Sequence, residues 1–160
     1  MGERRRKSRK RSDASSTSRQ PEPVFLIDHN LGTRLVPEAL RHAGATVEVL
    51  TDHFDSSTHD KTLLAAVGAR GWVFLSKDRN IRRRTLERQA LMNAEVKAFL
   101  LTAADLAGDE QAAVLVKALP RIRRICQRPG PFIASITATS NVTVVEERRK
   151  RARASRRSGS

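Results

Sequence analysis

The chain has 160 residues, of which 30% are charged and 39% hydrophobic, and its formal net charge is +14 at pH 7. That length fits one domain with additional segments. No stretch approaches the roughly 18 consecutive apolar residues of a membrane span, and the basic N-terminus lacks the apolar core of a signal peptide. The single cysteine, Cys126, excludes an intramolecular disulfide and fits a reducing compartment. We therefore expect a soluble, cytoplasmic protein with no membrane partner.

The positive charge is concentrated at the two ends of the chain. Residues 1–20 carry a net charge of +6 and residues 146–160 carry +5, whereas residues 21–145 carry only +3. We predict that the two terminal segments are disordered basic tails, because they hold too little apolar surface to offset the entropy of ordering. The tails suit either salt-dependent attraction to a phosphate backbone or a purely solubilising role.

The predicted folded region, residues 21–145, begins with a strand, a helix and a strand. The apolar run Val24–Ile27 predicts a strand covered on both faces. Apolar residues at helical spacing from Leu31 to Ala43 predict a helix, and Thr46–Leu50 alternates like a second strand. This order is typical of a parallel sheet, so the predicted fold class is α/β.

The alternation continues and is followed by a predicted hairpin. After a polar, irregular loop at Thr51–His59, the predicted elements are a helix from Asp60 to about Gly68–Gly71, a strand at Trp72–Ser76, a helix at about Thr85–Asn93 and a strand at Val96–Leu101. The next helical pattern, from Leu115 to Cys126, contains Pro120, which predicts a kink or a new segment. Phe132–Thr139 and Val142–Val145 predict a C-terminal β-hairpin.

Two of the predicted strands are each followed by an aspartate. Asp28 directly follows the first strand, Asp78 comes two residues after Ser76, and Asp60 opens the helix between them. Because the carboxyl ends of parallel strands share one edge of a sheet, we expect these acids to gather there. Carboxylate oxygens suit Mg²⁺, which next to a phosphodiester can generate hydroxide and stabilise the leaving oxygen. The pattern predicts a metal site that acts on a polyanion.

Each aspartate also has a purely structural interpretation. Asp60 fits a helix N-cap, Asp78 fits turn chemistry after a strand, and Asp28 fits a loop that opens the next helix. Taken singly, these interpretations are favoured. The coincidence of two acidic strand ends favours the site.

The motifs around the aspartates resemble a known family. They are Phe25–Leu31, Asp60–Leu64, Gly71–Arg79, Ile81–Arg84, Ala118–Ile122 and Gly130–Ala134. Their order is similar to that of the PIN-like nucleases, in particular the PIN-like (VapC-type) toxins of toxin–antitoxin pairs, and the resemblance covers roughly residues 24–145. It implies a three-layer α/β/α sandwich with a mainly parallel central sheet.

The resemblance also implies an activity and the residues that perform it. It implies a metal-dependent endoribonuclease that uses Mg²⁺, or Mn²⁺, and is silenced by a cognate antitoxin protein; a homodimer is the family default. The catalytic and metal-binding residues would be Asp28, Asp60 and Asp78. Asn30 and Ser76 would orient ligands or water. The RNA backbone would be held by Lys77, Arg79, Arg82 and Arg83, and the competing interpretation of the arginines is a solvated basic turn.

The chain departs from the family pattern in one respect. PIN nucleases usually carry a fourth acid between the first strand and the later aspartate, and no clear counterpart is present. Glu38, Asp52 and Asp55 are candidates, so the number of metal ions stays open. Ser76 replaces the commoner threonine and preserves its hydroxyl group.

Other interpretations of the sequence remain open. A receiver-like phosphoacceptor domain would use Asp28 near its first strand and Asp52 as the phosphoacceptor. A non-catalytic nucleic-acid-binding protein would rely on the two tails. A zinc site at His53 and His59 is disfavoured, because no further His or Cys stands at ligand spacing. Cys126 is predicted to be a buried core residue.

Overall fold

The computed structural model describes residues 22–55, 57–77, 85–103 and 105–148, with Asp60 and Thr85 described by their backbone alone. The strands are β1 (Val24–Ile27), β2 (Thr46–Val49), β3 (Val73–Lys77), β4 (Lys97–Leu101), β5 (Phe132–Ile136) and β6 (Val142–Glu147). The helices are α1 (Leu35–His42), α2 (Leu50–His53), α3 (Asp60–Arg70), α4 (Thr85–Asn93) and α5 (Gly108–Ile125), and a 3₁₀ turn spans His29–Leu31. Across these ranges, no helix is long and apolar enough to cross a membrane. The predicted tail 1–20 and residues 149–160 of the other tail lie outside them.

All six strands form one sheet in the order β2-β1-β3-β4-β5-β6. The first five strands are parallel, and β6 runs antiparallel to β5. β1 lies between β2 and β3, with Ile27 in register with Leu75. The predicted α/β class, mainly parallel sheet and C-terminal hairpin are therefore confirmed, and β6 extends beyond residue 145 to Glu147.

Helices cover both faces of this sheet, which makes the three-layer sandwich. Alternate residues of β1 belong to different cores: Phe25 and Ile27 face one cluster, and Leu26 faces the other. The first cluster packs against α1 and α5, and its larger buried helical residues are Val36, Leu40, Leu115, Leu119 and Ile122. The second packs against α3 and α4, through Leu63, Leu64, Val67 and Leu91. Burial on both faces explains why these strands are continuous apolar runs in the sequence.

Three local predictions need correction. The predicted helix from Leu31 to Ala43 is divided, because Gly32 has a φ of 86° and separates the 3₁₀ turn from α1. The predicted loop at Thr51–His59 begins inside α2, which packs through the buried Leu50. No new segment begins at Pro120, because α5 continues through it; the proline is exposed while the neighbouring Ala118 and Leu119 anchor the helix in the core.

Cys126 lies in the core at the end of α5, as the sequence predicts. Burial raises the pKa of its thiol to about 12. The thiol therefore stays neutral at ordinary pH and behaves as a small apolar side chain.

Gly68 allows α3 to approach the turn before β4. A Cβ atom at this position would collide with the carbonyl oxygen of Ala94. We expect Gly68→Ala to lower the free energy of unfolding by about 1–3 kcal/mol, although the same change at an open helical site is normally stabilising. Denaturant unfolding measures the change in free energy. Ala65→Gly, on the exposed side of α3, gives the effect of helix propensity alone for comparison. An unchanged or higher stability of Gly68→Ala would contradict the close approach.

Candidate active site

A cleft of about 690 Å³ opens where β1 and β3 end. The β1–β3 pairing extends one residue past β1, because the backbone N–H of Asp28 donates to the carbonyl of Leu75 at 2.9 Å. Polar residues at this end of the cleft are Asp28, His29, Asn30, Ser76 and Lys77. The sheet edge predicted from the sequence thus does bring Asp28 and the end of β3 together.

The Asp28 carboxylate is held at both of its oxygens. The Ser76 hydroxyl donates to Oδ2 at 2.8 Å, and Nδ1 of His29 lies 2.9 Å from Oδ1. The Asp28 side chain is 17% exposed, whereas that of His29 is 70% exposed. The carboxylate is therefore fixed in orientation yet still open to the cleft.

Asn30 joins the 3₁₀ turn to the end of β3 through its side-chain amide. Its Nδ2 donates to the carbonyl of Lys77 at 2.8 Å, and the Lys77 N–H donates to Oδ1 at 3.2 Å. The same Nδ2 lies 3.1 Å from the Ser76 hydroxyl oxygen, as donor to it. The Asn30 amide thus bonds to both the N–H and the carbonyl of Lys77, as the backbone of a neighbouring strand would. It also donates to the Ser76 hydroxyl, which in turn holds Asp28.

The other predicted site residues are described only in part. Asp60 is the first residue of α3, and the N-cap is His59, so Asp60 is not the N-cap. The Asp60 side chain, Asp78 and the three predicted RNA-binding arginines, Arg79, Arg82 and Arg83, lie outside the described residues. Asp28, Asn30, Ser76 and Lys77 are the predicted site residues placed together at the cleft.

One of the three candidates for a fourth acid lines the cleft. That residue is Asp55, whereas Glu38 on α1 and Asp52 on α2 are exposed and do not line it. Glu87, in the first turn of α4, also lines the cleft, and no motif in the sequence indicates it. An acid in a first helical turn is common, so the sequence alone gives little reason to select Glu87. It lines the cleft because α4 packs beside the ends of the strands.

The structure also bears on the rival sites. Asp52 lies on α2 rather than at the end of a strand, so it has no phosphoacceptor position. His53 is engaged with Glu48, whose Oε1 lies 2.7 Å from its Nε2.

The donors around the cleft fit a hard divalent cation. Asp28, Asp55 and Glu87 offer carboxylate oxygens, which Mg²⁺ and Mn²⁺ prefer. Among the side chains that the structure describes, no three acidic, histidine or cysteine residues are grouped closely enough to hold a metal ion. A complete ligand set therefore needs more than Asp28, and the sequence offers Asp60 and Asp78 for it.

A mainly parallel α/β/α sandwich with a fixed carboxylate after an interior strand is the architecture implied by the PIN-like resemblance, and comparison with known proteins agrees. A family model described as "PIN like domain" matches residues 23–103. The chain is 31% identical over 125 residues to "Putative ribonuclease VapC45" of Mycobacterium tuberculosis (strain ATCC 25618 / H37Rv), which covers 76% of this chain and 91% of that protein. No solved structure matches significantly. The chain belongs to the PIN-like domain family, in its VapC-type branch.

Proposed function

We propose that the protein is a metal-dependent endoribonuclease that hydrolyses RNA phosphodiesters and serves as the toxin of a toxin–antitoxin pair. The observation that carries the proposal is the Asp28 carboxylate, which is fixed by Ser76 and exposed to the cleft. Membership of the VapC-type branch and the name of the mycobacterial relative support RNA as the substrate.

In this proposal Asp28, Asp60 and Asp78 hold Mg²⁺ or Mn²⁺. When bound, the metal would lower the pKa of water and stabilise the charge that develops on the phosphate. Ser76 and Asn30 keep Asp28 in one orientation, so the carboxylate need not reorganise when it takes up a ligand. Asp55 and Glu87 are further carboxylates within the cleft, and either could complete the ligand set.

RNA binding is proposed to use basic residues beside the carboxylates. Lys77 lines the cleft next to Asn30. Arg79, Arg82 and Arg83 follow closely in the sequence, and guanidinium groups pair well with phosphate oxygens. These cations would offset the repulsion between an acidic site and a polyanion.

A cognate antitoxin protein is the proposed regulator. A basic surface beside the cleft would favour an acidic or amphipathic antitoxin segment through charge complementarity. A cytoplasmic location and a homodimer are part of the same proposal.

The test is cleavage of single-stranded RNA by the purified full chain. We expect cleavage with Mg²⁺ or Mn²⁺, loss of cleavage with a chelator, and recovery when metal is restored. Asp28→Asn and Asp78→Asn should both be inactive. Cleavage that ignores the chelator, or that survives both substitutions, would refute the assignment; salt-sensitive RNA binding without cleavage would favour the non-catalytic binder instead.

A further inference from the structure

The cleft has an apolar wall that the proposed chemistry does not use. Besides the polar group around Asp28, it is lined by Leu50, Phe54, Leu63, Leu64, Phe74 and Leu91. A metal ion and a phosphate would occupy the polar end alone. A volume of about 690 Å³ is within the range of sites that take small organic molecules. The cleft therefore has room for an apolar group next to the phosphate.

Phe54 gives this wall an aromatic ring. It follows α2, and its N–H donates to the carbonyl of Leu50 at 3.0 Å. The guanidinium carbon of Arg70 lies 5.6 Å from the centre of the Phe54 ring and 4.8 Å from that of Trp72. Arg70 therefore links Phe54 to a second ring by cation–π contacts.

The support for Phe54 continues to the edge of the sheet. The Trp72 and His53 rings pack edge to face, with their centroids 5.0 Å apart, and His53 in turn contacts Glu48 on β2. Phe54 is thus braced by residues from β2, α2 and α3. A ring that is already fixed loses little conformational entropy when a ligand stacks on it.

We infer that Phe54 and the apolar wall form a subsite for one unpaired nucleobase. The base would lie next to the phosphodiester that is cleaved beside Asp28. The choice of RNA as the ligand rests on the proposed function. Proteins bind single-stranded RNA by stacking its bases on aromatic rings, and this stacking tolerates any base. Thr51 and Thr58 also line the cleft, and threonine hydroxyl groups can hydrogen-bond to a base edge. A base paired within a duplex cannot enter, so the preferred substrate is single-stranded.

The test compares RNA with and without the base. Full-length protein carrying Asp28→Asn is titrated, without catalytic metal, with a labelled oligoadenylate pentamer and with the same pentamer that has one abasic ribose at its centre. The backbone charge is the same in both, so contacts with the basic tails cancel. We expect the intact pentamer to bind roughly 10-fold more tightly.

Substitution of Phe54 should remove this preference. In the same background, Phe54→Leu keeps an apolar side chain but loses the ring, and we expect the two pentamers to bind within about twofold of each other. Phe54→Trp should increase the preference, because its larger ring stacks over more of the base, and an unchanged preference in this variant would contradict the subsite even if Phe54→Leu fails to fold. Leu86→Ala is the matched control, because Leu86 is 80% exposed on α4 and does not line the cleft.

Either of two outcomes would overturn the subsite: no preference for the intact pentamer in the Asp28→Asn protein, or a preference of the same size in Phe54→Leu, whether or not the affinities for both pentamers fall. RNA cleavage without base preference would refute the subsite alone. Base preference in a protein that never cleaves RNA would refute the proposed chemistry and leave the subsite standing.

Discussion

Asp28→Asn is expected to lower metal-dependent RNA cleavage by at least about 100-fold, because residues that merely support metal ligands already contribute 10–100-fold. The substitution removes the negative charge that a divalent cation needs. It preserves the shape of the side chain, and the Ser76 hydroxyl, now 2.8 Å from Oδ2, can reverse to accept a hydrogen bond from an amide. The loss should therefore appear in activity and in Mn²⁺ affinity rather than in stability.

Asp52→Asn provides a matched control for this substitution. It makes the same chemical change at an exposed position on α2 that does not line the cleft. We expect nearly unchanged cleavage, measured by initial rates at saturating Mg²⁺. If both variants lose activity equally, the net charge of the protein matters more than the position of the carboxylate, and the role given to Asp28 is wrong.

The sequence predicts the part of the site that depends on strand order. Val24–Ile27 and the strand before Asp78 are buried on both faces, so they stand out as apolar runs, and parallel pairing places their ends together. The contact between Asp28 and Ser76 follows from that pairing. This rule predicts the positions of Asp28 and Asp78, whereas Asp60 is predicted from its place at the start of a helix, and the roles of Asn30 and Ser76 follow from the family resemblance.

The residues that the sequence did not reveal enter the cleft from a helix or from the position directly after one. Glu87 and Phe54 come from segments whose position depends on how α4 and α2 pack on the sheet. A helix as short as α2 is not stable by itself and forms because Leu50 is buried, so local propensity does not predict it. Both the missed acid and the proposed base subsite therefore follow from tertiary packing.

Asn30→Ala should produce the second large effect, a 10–100-fold fall in Mn²⁺ affinity and in cleavage. The variant loses the two hydrogen bonds to the Lys77 backbone and the one to Ser76. Lys77 directly precedes Asp78 in the sequence, so the Asn30 amide fixes the backbone of the residue to which Asp78 is attached. It also fixes the hydroxyl that holds Asp28. One side chain thus acts on two proposed ligands, which predicts a weaker metal site and not merely a less stable fold.

Asn30→Asp separates this positioning role from simple packing. The aspartate has nearly the same volume and can still accept from the Lys77 N–H, but its second oxygen would face the Lys77 carbonyl, to which Nδ2 now donates. We expect it to be as impaired in cleavage as Asn30→Ala. Asn141→Ala, in the β5–β6 turn, removes side-chain hydrogen bonds with Thr139 and with Arg121 on α5, and it should keep full activity. If Asn30→Asp bound Mn²⁺ as tightly as the wild type, the paired amide contact would not position the ligands, and Asn30 would only fill space beside β3.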